Sequence, residues 1–297
     1  MRKRPKLTVI FDRSAFHGDR FDLLAQSRLL ALVKRNVILV HHPLPFLEET
    51  ISMYEKEKNR DQLRKQLLFL LDICNGRWFR EPSEIWNIEL AQNRGATANV
   101  FEDEKRRRKT EANIRRGVLS GGDWKAFWQG LPEKDAQRQR QANYRRILGE
   151  IRQSVASTLK QRPELKRQKP PGALEFINTQ IDDWGAKMIS RYVGRKHRDK
   201  SAIVSMWRHN KQRYPFVTSS FEGQIFAYWQ AAAEHNKPID GNAIVDVDVL
   251  TCLHRADAIV SADNKFLRDA FDLLWRPKGK TYFSPQEFVA RLQLFAP

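Results

Sequence analysis

The order of apolar and polar positions divides the chain into short continuous apolar runs and longer stretches with helical periodicity. Leu7 to Phe11 is an unbroken run of β-forming residues bounded by polar sequence, the pattern of a buried parallel strand. It ends on Asp12. Asp19 to Lys34 carries apolar residues at 23, 24, 29, 30, 32 and 33, which predicts a helix, and Val37 to Val40 predicts a second strand, completing a βαβ unit. Two prolines in HHPLPFLEET then mark a loop and a helix start, with Glu48 and Glu49 in the opening turns. Asp61 to Ile73 predicts an amphipathic helix, and helical character continues through Glu84 to Gln92.

At the other end, Phe221 to Glu234 predicts an ordinary amphipathic helix and Asn236 to Asn242 a turn containing Pro238 and Gly241. A helix carrying Asp246 and Asp248 follows, then a short strand, Ala258 to Val260, with Asp257 before it and Asp263 after it. Lys265 to Leu274 reads as helix and Gly279 to Phe283 as a last strand. Ser284-Pro285-Gln286-Glu287 has the form of a capping box with proline at the first helical position, opening a helix that buries Phe288, Leu292 and Phe295. Strands and helices alternate at both ends, which predicts an α/β fold around a mostly parallel sheet.

Charge changes the picture of the middle. The 297 residues carry a net charge of +18, which marks a binder of polyanions, nucleic acid first and acidic membrane surface second. Residues 100–213 hold 28 Lys and Arg against 13 Asp and Glu, so most of the excess belongs to one segment. Its basic positions include Arg106, Arg107 and Arg108 within KRRRK, then Arg115, Arg116, Arg138, Arg140, Arg145, Arg146, KRQK and RKHRDK. Apolar residues recur between them at helical spacing (Tyr144, Ile147, Leu148, Ile151, Val155), with aromatics at Trp124, Phe127, Trp128, Trp184, Tyr192 and Trp207. The segment reads as a basic, mainly helical insertion, 96–219, with a modest core of its own, inside a discontinuous domain formed by 1–95 and 220–297. Like charges at this density repel, and phosphate contacts reward them through counterion release. An interfacial helix would need a bulky apolar face beside its lysines, and this segment lacks one.

Cys74 and Cys252 are too few for a disulfide framework or zinc cluster and read as core residues. MRKRPK leads into only a five-residue strand, and no apolar run reaches spanning length, so a soluble cytoplasmic protein is expected.

Asp246, Asp248, Asp257 and Asp263 fall within otherwise apolar sequence. Ionised groups gathered at a core edge repel one another unless a cation or partner compensates them, so a metal-ion site is the working expectation. Asp12 ends a strand, where the ligand crevice of an open α/β sheet lies, and one of Glu48 and Glu49 is expected to face it. His41 and His42 are weaker candidates, because hard oxygen-ligand sites rarely recruit imidazole.

VIFDRSAF at the N-terminus, LEET after the second strand and the later pattern D-x10-D-AIVSADNKF together make the sequence resemble the PIN-domain nucleases. The resemblance covers about 1–60 and 220–297 and rests on the order and spacing of the acids. It implies a three-layer α/β/α sandwich in which Asp12, Glu49, Asp246 and Asp263 gather at the carboxyl edge of the sheet, hold Mg²⁺ or Mn²⁺ and cleave RNA or DNA, with RNA ahead of DNA on family habit. Glu49 is preferred to Glu48 because the family's glutamate is commonly followed by a small or apolar residue, here Thr50. Asp257 takes a supporting or second-metal place, and Asp248 falls off the motif as a rim residue. The long basic insertion departs from the family pattern.

Two other readings compete. A haloacid-dehalogenase-type phosphatase also starts with a strand ending in Asp, but needs a second Asp where Ser14 stands. A non-catalytic nucleic-acid-binding or scaffold protein on a degenerate nuclease fold would hold nucleic acid equally well in EDTA.

Overall fold

In the computed structural model, Leu7–Phe11 forms strand β1 at the centre of a five-stranded sheet. The structure describes residues 7–43, 50, 60–75, 77–119, 133–167, 171–193, 199–233 and 240–295. The other strands are β2 (Ile38–His42), β3 (Arg77–Trp78), β4 (Ala258–Val260) and β5 (Thr281–Phe283), in the order β3-β2-β1-β4-β5 with every pairing parallel. Connections run one way from β1 through β2 to β3 and the other way from β4 to β5. The β1/β4 seam is therefore the switch point, where ligands of open parallel sheets bind.

β1 is buried on both faces because its side chains alternate between two apolar clusters. Val9 and Phe11 pack with Phe16, Leu24, Leu32, Val40, Phe288 and Leu292. Ile10 faces the other way, into a cluster with Ile259, Phe216, Leu253 and Phe271. The first face is covered by helices α1 (Asp19–Ala25) and α2 (Leu29–Lys34) together with the C-terminal helix.

The single helix expected over Asp19 to Lys34 is two. Ser27 donates to the Leu24 carbonyl (2.6 Å) and accepts from the Leu29 amide (3.2 Å), ending one helix and starting the next. A serine hydroxyl competes with the helical ladder in this way when the chain must turn.

Helices α3 (Arg60–Ile73), α4 (Pro82–Trp86), α5 (Glu104–Leu119), α6 (Glu133–Gln161), α7 (Pro163–Arg167), α8 (Pro171–Tyr192) and α9 (Lys200–His209) follow, and α4 continues into a π-helical turn, Asn87–Ala91. The chain closes with α10 (Pro215–Ala233), α11 (Ala243–Thr251), α12 (Phe266–Leu274) and α13 (Pro285–Leu292). Mostly helical overall, the chain is built around a small parallel sheet. Among the described residues, no helix is long and apolar enough to cross a membrane.

The expectation of an ordinary amphipathic helix near Phe221 is corrected. α10 is buried nearly all round, from Phe216 and Val217 through Gln224 and Tyr228 to Ala232. On one side Gly223 lets it approach α11, since a Cβ there would fall 2.7 Å from Val247 Cγ1. On the other side lie α6 and α8, so that Tyr144, Val155, Leu159, Phe176 and Ile177 share one cluster with Phe221 and Trp229 instead of forming a separate core. A helix packed on both sides has no polar face to reveal a 3.6-residue period.

The start of α10 is held by a distant acid. Glu89, fully buried on the π-helical turn, accepts the otherwise unpaired amides of Phe216 (3.1 Å) and Val217 (2.8 Å). Burial raises its pKa to about 7 against the pull of those amides.

The capping box is present as read. Ser284 accepts from the Glu287 amide (3.2 Å), and the Glu287 carboxylate accepts from the Ser284 amide (2.7 Å). Ser284→Ala is expected to cost about 1 kcal/mol, read as a lowered denaturation midpoint. An unchanged midpoint would show that the cap contributes nothing.

Candidate active site at the carboxyl edge of the sheet

β1 and β4 end side by side, with the Asp12 amide bonded to the Val260 carbonyl (3.0 Å). Asp12, only 6% exposed, sits at this edge with one carboxylate oxygen fully engaged. Its Oδ2 accepts from the Ser14 amide (3.1 Å), the Ser14 hydroxyl and the Ser261 hydroxyl (2.8 Å). Three donors offset the loss of hydration on burial and fix the orientation of the carboxylate.

The same two serines hold the β4 side. Ser14 Oγ accepts the Ala262 amide (2.9 Å) and lies 3.0 Å from Ser261 Oγ, which accepts the Asp263 amide (3.0 Å). Tyr282, at the end of β5's middle position, donates to the Asp263 carbonyl, and Arg268 stacks on its ring at 4.5 Å. Asp263 Oδ1 accepts the Lys265 amide (2.7 Å).

Burial raises the Asp263 pKa, the Lys265 amide opposes this, and the charges of Asp12 and Asp240 raise it further. Asp12, Asp263 and Asp240 thus share one electrostatic neighbourhood. Asp240, exposed in the turn before α11, also acts with Asp246 on the buried phenol of Tyr144 from α6. Residues from both ends of the chain meet here with one helix of the basic segment.

That helix brings a cation as well. A Cβ on Gly241 would fall 2.6 Å from Arg145 Nε and 2.8 Å from its terminal nitrogen, so the guanidinium lies directly on the turn that carries Asp240. A side chain at position 241 would push it away.

Asp257 is not brought to this edge. It starts β4, with its carboxylate accepting the Thr8 amide (2.8 Å) and its own amide bonded to the Thr8 carbonyl (2.8 Å). The full length of β4 separates it from Asp263, which corrects its expected place as a supporting metal residue. Asp248, on the same helix as Asp246, lines a cavity beside the site. Glu48 and Glu49 lie outside the described residues, as do Trp124, Phe127 and Trp128.

His41 and His42 belong to β2, which runs two residues further than the sequence pattern suggests. Both are buried, His41 against Phe79 and Phe101 and His42 against Trp78. Desolvation lowers each pKa to about 3, as it does for His254, whose Nε2 lies 2.8 Å from Ser219 Oγ. All three are neutral in the folded protein and protonate near 6.5 when unfolded. Their contribution to stability is complete above pH 6.5 and falls progressively towards pH 3. Glu89 acts in the opposite sense between pH 4.5 and about 7, but one group stands against three. The denaturation midpoint is expected to drop between pH 6.5 and 4.5, and a flat or rising midpoint there would contradict this placement.

The arginines of α5 are engaged locally. Arg106 pairs with Glu84 and Glu102, Arg107 with Glu104 and Glu111, Arg108 with Glu104, and Arg115 with Asp72 and Glu111. α5 itself packs through Ile114 and Val118 on α3 and Trp78, on the β3 side of the sheet. Arg116 is exposed, and Arg146 pairs with Glu150 on α6. Exposed pairs of this kind are weak enough for a phosphate to displace the carboxylate.

Hard oxygen donors with mutual repulsion suit Mg²⁺ or Mn²⁺. Among the described residues, no three Asp, Glu, His or Cys side chains are close enough to hold one ion. Asp240, Ser14, Ser261, Tyr282 and Tyr144 are the members of the site that the pattern of acids does not single out. The serines stand in plain view in DRSAF and VSAD, whereas Asp240 sits in a sequence that reads only as a turn. No family model, curated protein or solved structure matches this chain.

Proposed function

We propose that the chain is a metal-dependent nuclease of PIN-like, three-layer α/β/α architecture that hydrolyses phosphodiester bonds, in RNA ahead of DNA. The observation that carries this reading is the meeting of Asp12 and Asp263, from opposite ends of the chain, at the carboxyl edge of adjacent parallel strands at the switch point, with Asp240 beside them. Apolar clusters on both faces of β1 support the three-layer arrangement.

Asp12, Asp263 and Asp246, completed by Glu49, are the residues that would hold Mg²⁺ or Mn²⁺. When bound, such an ion supplies an activated water and stabilises charge on the phosphoryl oxygens. Ser14 and Ser261 keep Asp12 Oδ2 occupied and so aim the carboxylate. Tyr282 and Ser261 fix the backbone of Asp263. The carboxylates repel one another in advance of binding, which favours a cation at this edge. Arg145 stands over the acidic turn where a phosphate backbone would pass, and Arg116 and the α5 cluster extend the basic surface.

The test is cleavage of labelled single- and double-stranded RNA and DNA with Mn²⁺ or with EDTA. Cleavage confined to the Mn²⁺ arm is expected. Nucleic-acid binding that is equal in both arms, without cleavage in either, would overturn the reading in favour of a binding module.

A further inference from the structure

Next to the acidic edge, between α4, α6, α8, α10 and α11, lies a cavity of about 240 Å³. Its lining includes Trp86, Tyr144, Tyr192 and Tyr228, with Glu81 and Asp248 as carboxylates. Trp86 and Tyr192 meet edge to face at 6.4 Å, and Tyr144 and Tyr228 are 6.1 Å apart with rings tilted by 32°. These are broad aromatic walls, the surfaces on which nucleobases stack. Tyr192 is 42% exposed and stands where the cavity can be entered.

Tyr144 adds a second, independent observation. It is 3% exposed, and its hydroxyl has no hydrogen-bond partner. A buried hydroxyl left in this way costs free energy that a ligand acceptor would recover. The cavity therefore offers one O–H donor and two carboxylate acceptors between aromatic faces.

We propose that this cavity receives a guanine base of the bound strand, stacked on the aromatic walls, with its N1–H and amino group donating to a carboxylate and its O6 accepting from Tyr144. Among the four bases, guanine alone presents two neighbouring N–H donors beside an acceptor on one edge. Uracil offers one donor flanked by acceptors, which a carboxylate repels, while cytosine and adenine offer only the amino group. A quaternary ammonium would also suit aromatic walls and carboxylates, but it has no acceptor for the Tyr144 hydroxyl.

The position gives the pocket its purpose. α11 carries Asp246 towards the acidic edge and Asp248 into the cavity, and Tyr144 lines the cavity while lying within the field of Asp240 and Asp246. A base held here places its own phosphates at the candidate active site. The proposal rests on the nuclease reading for its place in a strand, though not for the binding of the base.

The experiment measures binding of the 5′-monophosphates of guanosine, adenosine, cytidine and uridine to the full chain in EDTA, by quenching of tryptophan fluorescence and by calorimetry, with tetramethylammonium as a further probe. Guanosine monophosphate is expected to bind most tightly. Asp248→Asn should weaken it by about tenfold or more, the size of one bidentate base contact, and Tyr192→Ala should weaken all four nucleotides alike by loss of a stacking surface. Equal binding of the four nucleotides, or binding of tetramethylammonium alone, would overturn the proposal. So would guanosine preference undiminished in both Asp248→Asn and Tyr192→Ala, each checked for a native denaturation profile. Guanosine selectivity lost in Asp248→Asn, together with no cleavage of any strand in Mn²⁺, would leave the pocket standing and remove the nuclease reading instead.

Discussion

Asp263→Asn is expected to lower Mn²⁺-dependent cleavage by about a hundredfold or more while leaving the fold intact. The two outcomes separate chemistry from architecture because the side chain of Asp263 makes one structural bond, from the Lys265 amide to Oδ1, which an asparagine oxygen accepts equally well. Its backbone is held independently by Ser261 and Tyr282. Removing the charge also relieves repulsion from Asp12 and Asp240, so the metal-free denaturation midpoint should stay level or rise. A residue kept for stability would show the reverse, with midpoint and activity falling together. Asp246→Asn should lose cleavage in the same way, and near-wild-type rates in both variants would eliminate the proposed mechanism.

Trp207→Ala is expected to destabilise the chain by about 3–5 kcal/mol, the usual cost of emptying a large aromatic site. The ring is fully buried, meets Phe221 edge to face at 5.5 Å and donates from Nε1 to Thr218 Oγ1 (3.1 Å), joining α9 to α10. α8 closes over it so tightly that a Cβ at Gly185 would fall 2.1 Å from the ring. Because α10 also packs on α11, the damage should reach the carriers of Asp246 and Asp248. Chemical denaturation reads the loss, and a cost below about 1 kcal/mol would mean that the helical segment docks without this anchor.

β1 and β4 were legible from sequence because buried parallel strands are continuous apolar runs, and the Ser284 cap because its two bonds are local. α10 was misread for the opposite reason. Its second partner is the basic segment some tens of residues away, and no window along the chain contains both surfaces. β3, a two-residue strand, offers too little pattern to find. At the candidate site, Asp12 and Asp263 were visible as acids at strand ends, but their neighbour Asp240 was not, since a lone aspartate before glycine signals a turn. Tyr144 looked like one more core position at helical spacing. Only the fold reveals that its hydroxyl is left unpaired beside two tyrosines, a tryptophan and two acids.

The hydrogen bond from Ser261 to Asp12 spans 249 positions of sequence, and it sits in the seam that gives β1 its second neighbour. On a ribosome, β1 emerges early and can pair with β2, but its other edge stays open until β4 is made. At usual elongation rates of about 5–20 residues per second, that wait lasts on the order of 10–50 s. During it the nascent chain carries an exposed strand edge that invites pairing with other chains, and it holds Asp12 without Asp263. A chaperone guarding that edge would thus bind a chain whose basic segment has already been translated while its acidic edge is still incomplete, able to touch a phosphate backbone before it can cut one.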